Sequence, residues 1–316
     1  MAPLDDTTPE ARFDSFTIYR TSYKEISSQS INVVILTPKT LRPGKHPILV
    51  KFHGGGLVTG DCLYAPWFAA YFVPFIHRAN AIVVSPNYRL VPEHTGADIL
   101  EDLTDFWGWL RNGGLASYLA SQNVVVDLDF EHILASGDSA GGYMALMSGL
   151  LQPKGSIKAV LAQYPMTDSL RRDKSELFID LQSPPASLVD EHMKSVRPGV
   201  VVSSCVPPER MNLSYVLSAY GRYLEFFGGD KMMWPLYLIE EKKWLPPTWI
   251  HHGDVDTAVS IEDSKAFVAK CEAIAGLEVR LEVLEGKDHG FDTQAKEDEE
   301  PWLKEGLRWV EKKWLQ

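Results

Sequence analysis

The sequence predicts an α/β fold: a mostly parallel sheet of eight strands, flanked by helices and interrupted by a helical insertion. Three observations lead there. Short runs rich in β-branched and aromatic residues alternate with stretches of helical periodicity along most of the 316 residues. The later runs are apolar throughout instead of alternating, as strands buried on both faces of a parallel sheet must be. Strands that alternate with helices define the class.

Strands are expected near 16–23, 31–37, 47–52, 81–85, 131–136, 157–164, 248–252 and 279–285. The first two lie close together and partly alternate, as in an antiparallel hairpin at a sheet edge. Helices fall between strands. Residues 97–110 carry apolar positions at three- and four-residue spacing. Residues 262–275 run to Gly276, a good helix stop. The tail from Trp302 to Leu315 is amphipathic, with Trp302, Leu303, Leu307, Val310 and Trp314 as its buried stripe.

The alternation fails between Asp168 and about Leu245. That stretch holds Pro184-Pro185, Pro207-Pro208 and the aromatics Tyr215, Tyr220, Tyr223, Phe226 and Phe227. It is too long and apolar for a loop, so residues 168–245 are expected to form an inserted helical cap on a core of 1–167 and 246–316. The aromatics suit a plain core or an apolar pocket equally, because both have the same composition.

Composition narrows the function. A hydrophobic share of 45% and a charged share of 23% are ordinary for a globular protein. A formal charge of −11 argues against nucleic acid, which needs clustered Lys and Arg. Cys62, Cys205 and Cys271 are far apart and match no metal or redox spacing; so few, and an odd number, favour a reducing compartment. The start Met-Ala-Pro-Leu-Asp-Asp lacks a basic segment followed by an apolar run, and no run of about 18 apolar residues would span a membrane. The cytoplasm is the expected setting, and a homodimer is compatible with the sequence.

Four segments carry chemistry. Gly137-Asp138-Ser139-Ala140-Gly141-Gly142 follows the apolar run Ile133–Ser136 and precedes a second apolar run, from Tyr143 to Leu151. A serine with glycine two residues away on either side, between strand and helix, is a nucleophile elbow. Side chains at 137 and 141 would collide with neighbouring backbone, and the strain leaves Ser139 exposed at the positive end of a helix. His53-Gly54-Gly55-Gly56 follows the strand Ile48–Phe52. Its bare glycines let a developing oxyanion approach backbone N–H groups; losing one such donor typically costs roughly 10²–10³ in rate.

Trp249-Ile250-His251-His252-Gly253-Asp254-Val255-Asp256 is a strand followed by a turn with two acids, and Gly286-Lys287-Asp288-His289-Gly290-Phe291 brackets a histidine with glycines. A serine nucleophile needs a base, and the base needs an orienting carboxylate. Strand-end loops of an open α/β sheet reach one rim, where these segments can meet.

With these motifs the chain resembles the hormone-sensitive-lipase-like branch of the α/β-hydrolases over nearly its whole length. The marks are His53-Gly54-Gly55-Gly56-Leu57-Val58-Thr59-Gly60-Asp61, Tyr88-Arg89-Leu90-Val91-Pro92-Glu93-His94, the 137–142 elbow, and the Asp and His loops. The order Ser139, Asp, His289 is that of this fold. The resemblance implies a serine carboxylesterase or lipase acting on small esters, with no metal or organic cofactor. It also implies an oxyanion hole from the N–H groups of Gly54, Gly55 and Ala140. Two departures bear on specificity: Thr95-Gly96-Ala97 stands where the family often has Phe-Pro-Ala, and the segment before the first strand is short, so the lid must come mainly from 168–245. The chain is also similar to hydrolases of fungal biosynthetic clusters.

For the orienting acid, the spacing His-Gly-x-x-Asp selects Asp256, leaving Asp254 as a turn residue held by an Asx-type bond. Of nine histidines only His289 has the loop setting and the chain order. His53 braces the glycine loop, and one of His251 and His252 packs in the core. Asp288 is a second carboxylate beside His289 and not its orienter. Tyr88, Arg89 and Glu93 read as structural, with a buried Arg–carboxylate pair fixing the loop behind the glycines. The expected triad is Ser139, Asp256 and His289, acting on a small acyl ester or thioester. The same acyl-enzyme admits a thioesterase, an acyltransferase or a lactone-forming cyclase. A small-molecule receptor of this fold is disfavoured by the three residues' presence.

Overall fold

A computed structural model describes residues 8–169 and 184–316. Residues 170–183 of the expected insertion lie outside the described residues. Eight strands form one sheet: β1 Phe16–Ile26, β2 Gln29–Pro38, β3 Lys45–Phe52, β4 Ile82–Pro86, β5 Asp127–Asp138, β6 Ala159–Gln163, β7 Thr248–Gly253 and β8 Val279–Leu284. Their order is β1-β2-β4-β3-β5-β6-β7-β8. The hairpin β1–β2 and the β2–β4 pair are antiparallel; every other pair is parallel.

The parallel strands are apolar on both sides because both faces are covered. Along β3, Ile48, Val50 and Phe52 point into one core and Leu49 into the other, as the two-residue period of a strand requires. The second core is closed by helices α1 Phe72–Ala79 and α10 Pro301–Trp314, through Phe72, Phe75, Ile76, Leu303, Leu307, Val310 and Trp314. The first is covered by α2 Gly96–Arg111, α4 Ala140–Leu151 and α9 Ile261–Glu272. Helix α2 starts on a capping box between Thr95 and Asp98. The Thr95-Gly96 departure therefore supplies the helix cap.

Two helices were not foreseen, α1 and α3 Gly114–Ser121. Both have eight residues, too short for a periodic signal to stand out. Helix α9 ends at Glu272, before the expected stop at Gly276, and Trp302 is only half-buried.

Between β6 and β7 the described residues form α5 Ser187–Ser195, α6 Met211–Ala219, α7 Tyr223–Phe227 and α8 Pro235–Lys242. Helix α8 packs on α4 and α9, while α7 lies against α2. Phe227 packs edge-on and Trp234 tilted against Tyr143 of α4, Tyr223 stacks on Phe227, and Tyr223 donates to the Gly56 carbonyl at 2.9 Å. Among the described residues no helix is long and apolar enough to cross a membrane.

Candidate active site

Strands β3, β5, β7 and β8 end on the same rim because they run parallel, so the four motif loops converge there. The elbow is as tight as the glycine spacing implies. Ser139 has φ 54° and ψ −115°, unusual for a residue with a side chain. A Cβ on Gly137 would overlap the Gly141 backbone, and one on Gly141 would overlap the backbone of Phe52 and His53. The turn is pinned by Ser139 N–H, which donates to the Gln163 carbonyl at 2.8 Å. Ala140 opens α4, so its N–H is among those a helix start leaves without an intrahelical partner.

A cavity of about 320 Å³ sits over the elbow. Ser139 and His289 both line it, with Gly55 and Gly56 on the glycine side, Pro66 and Trp67 on another wall, and Met211 and Ser214 from α6. Gly54 is not in the lining; its α-carbon is packed against the Asp138 carboxylate. Asp138 in turn pairs with the buried Lys51 Nζ.

Asp256 Oδ2 lies 2.7 Å from His289 Nδ1 and 3.2 Å from His252 Nε2. Its other oxygen accepts from the N–H groups of Ala258 and Val259, both at 2.8 Å. Burial alone would raise its pKa, but the charge on His289 and hydrogen bonds from His252 and His289 hold it well below the ordinary carboxylate range. It stays ionised. The Asx-type turn expected of Asp254 is thus made by Asp256 itself. Asp254 reaches across to accept from Gly286 N–H at 2.6 Å, tying the acid loop to the histidine loop. Asp288 accepts from Thr257 N–H at 2.7 Å and makes the second tie.

Three other histidines near these loops are buried. His53 is buried, its Nδ1 2.8 Å from the Gly54 carbonyl, its ring stacked on Tyr88, and burial lowers its pKa. Both His251 and His252 are fully buried, where the sequence placed only one in the core. Arg89 pairs with Asp98, Glu101 and the buried Asp102, whereas Glu93 joins Arg210 and His192. The loop behind the glycines is therefore fixed by two ion clusters.

None of the five cap aromatics lines the cavity. Tyr215, Tyr223 and Phe227 are core. The cavity's aromatics are Trp67 and Tyr164, and sequence reasoning singled out neither. Tyr164 has φ 36°, and its ring centroid is 4.5 Å from that of His289. Asp292, likewise missed, is fully buried just behind it. The available signals were a charged Lys51 inside an apolar strand and an acid directly after Gly290-Phe291.

This strand order, with a serine on the sharp turn between β5 and the helix after it, defines an α/β hydrolase. A family model for the alpha/beta hydrolase fold matches residues 49–203. The chain is 30% identical over 322 residues to a probable carboxylesterase of Phoma sp., covering 98% of this chain and all of that protein. A thermostable esterase from Pseudomonas putida superposes with a TM-score of 0.62 at 20% identity, over all of this chain and 93% of that one. A non-reducing polyketide synthase of Preussia isomera is 24% identical over 329 residues, spanning 93% of this chain but 15% of the synthase. The chain belongs to the carboxylesterase family of α/β hydrolases, enzymes that cleave carboxylic esters.

Proposed function

We propose that the protein hydrolyses small carboxylic esters through an acyl-enzyme on Ser139. The observation that carries this is the 2.7 Å Asp256–His289 pair, whose histidine shares a cavity wall with Ser139. In this reading Ser139 Oγ attacks the acyl carbon while His289 Nε2 takes its proton. Asp256 accepts the His289 Nδ1–H, fixing the ring's tautomer and stabilising the imidazolium. His289 then protonates the departing alcohol, and water, activated by the same ring, releases the acid. The oxyanion is received by the N–H groups of Gly55 and Ala140. We place the third donor at Gly56 instead of Gly54, because Gly56 lines the cavity and Gly54 faces Asp138.

The described part of 168–245 serves as the cap in this reading, since α6 brings Met211 and Ser214 to the cavity. The cytoplasm is proposed as the setting on the three free cysteines, all buried, and the absence of a spanning helix among the described residues.

Ser139→Ala should lower kcat on a p-nitrophenyl ester by about 10⁶-fold with the fold intact by circular dichroism. Near-wild-type turnover would refute the mechanism. Labelling of Ser139 by a fluorophosphonate separates the enzyme from a receptor of the same fold.

The polyketide synthase match favours one second reading, release of an acyl thioester, with biosynthetic chemistry as its setting. The cap aromatics no longer support it, because none of them lines the cavity. Product analysis with acyl thioesters decides between free acid and a transferred or cyclised product.

A further inference from the structure

Asp292 is a fully buried carboxylate that the proposed triad does not use. It follows His289 by three residues, and side chains from three other parts of the chain converge on it. Tyr71 Oη donates to Oδ2 at 3.1 Å and Gln163 Nε2 at 2.6 Å. His251 Nε2 is 2.8 Å from the same oxygen, and Tyr164 Oη donates to Oδ1 at 2.8 Å. Four groups therefore meet this one carboxylate, three of them on Oδ2 and one on Oδ1. His251 Nδ1 is buried with no hydrogen-bond partner among the described residues. Nε2 is therefore the ring nitrogen through which His251 meets Asp292. Burial would raise the Asp292 pKa, but His251, Tyr164 and Gln163 outweigh it and hold the group below the ordinary range.

Two of the groups that Asp292 gathers touch the site. Gln163 accepts the Ser139 N–H on its main-chain carbonyl, and its side chain is the one held by Asp292. Tyr164 packs its ring on His289 while its hydroxyl is held by Asp292, and its left-handed backbone is a conformation that needs such an anchor. Asp292 itself anchors the loop that carries His289.

We propose that Asp292 is a positioning residue that sets the distance between Ser139 and His289, holding the nucleophile's turn through Gln163 and the base through Tyr164. The proposal rests on the reading of those two residues as nucleophile and base. Displacing reacting groups by about 1 Å can cost on the order of 10²-fold in rate, which sets the scale of the effect.

The test uses Asp292→Asn, Tyr164→Phe and their combination, assayed with a p-nitrophenyl ester and normalised to sites titrated by an organophosphate. Asp292→Asn keeps the shape but removes the charge and one acceptor. Its kcat should fall about 10–100-fold with KM within about threefold of wild type, at a temperature where circular dichroism shows it folded. Tyr164→Phe removes one hydroxyl and keeps the ring; its kcat should fall about 3–10-fold, and the double variant should be no slower than Asp292→Asn alone. A purely structural carboxylate would lower Tm and the number of titratable sites but leave kcat per site unchanged. The proposal is overturned if folded Asp292→Asn turns over within twofold of wild type, or if the two losses multiply. Should Asp292→Asn not fold, wild-type kcat in Tyr164→Phe overturns it. Wild-type protein that cleaves no ester would instead sink the reading of Ser139 and His289.

Discussion

Two Asp–His pairs lie one behind the other at the sheet rim, built from the same chemical parts. In the upper pair Asp256 holds Nδ1 of His289, whose side chain keeps 12% of its surface exposed and lines the cavity. In the lower pair Asp292 takes Nε2 of His251, and both side chains have none. The nitrogen that each carboxylate binds decides what the ring has left. In the proposed mechanism His289 uses Nε2 for the reacting proton. His251 leaves a buried Nδ1 with no partner among the described residues and holds only its neighbours. An acid beside an imidazole is thus not in itself a catalytic feature; access for a proton makes it one.

The strongest way to break this comparison is to delete each ring in turn. His289→Ala should cost about 10⁶-fold in kcat with little change in thermal stability. His251→Leu should lower Tm by several degrees, since a buried acceptor loses its donor, yet keep kcat within about tenfold of wild type. Equal losses of kcat in the two variants would erase the distinction.

Acid unfolding sharpens it further. Asp256 and Asp292 both have depressed folded-state pKa values, so each contributes stability above the unfolded-state value that is lost as pH falls through the folded one. Urea midpoints of the wild type should begin to drop as pH passes below about 5, where an unfolded Asp starts to bind protons. The gap between wild type and Asp292→Asn should narrow over the same range; a gap constant from pH 6 to pH 3 would contradict the assignment.

The smallest effect belongs to Asp254, the exposed acid of the same loop, which partners neither histidine. Asp254→Ala removes the bond to Gly286 N–H and should cost about 1 kcal/mol or less in chemical denaturation, with kcat changed less than twofold.

Much of this was legible beforehand. The eight strands stand where β-branched runs predicted them, because a strand buried on both faces writes its burial into consecutive residues. The elbow was legible because Gly137 and Gly141 answer a local collision, which sequence records directly. The short helices α1 and α3 were not, since eight residues hold barely two turns of pattern. The cap aromatics could not be sorted, because a core and a pocket ask for the same side chains.

Sequence by itself determined the fold class, the loops that carry the serine, the acid and the histidine, and the preference for Asp256 over Asp254 by spacing. Only the tertiary structure decided who bonds whom. It gave the Asx-type turn to Asp256, moved Gly54 out of the cavity wall, split Arg89 and Glu93 into separate clusters and gathered Tyr71, Gln163, Tyr164 and His251 around Asp292. The reason is physical. Periodicity and glycine spacing report how a residue meets its own neighbours in the chain, whereas a carboxylate 41 residues from its histidine finds it only when β6, β7 and the loop after β8 are packed side by side.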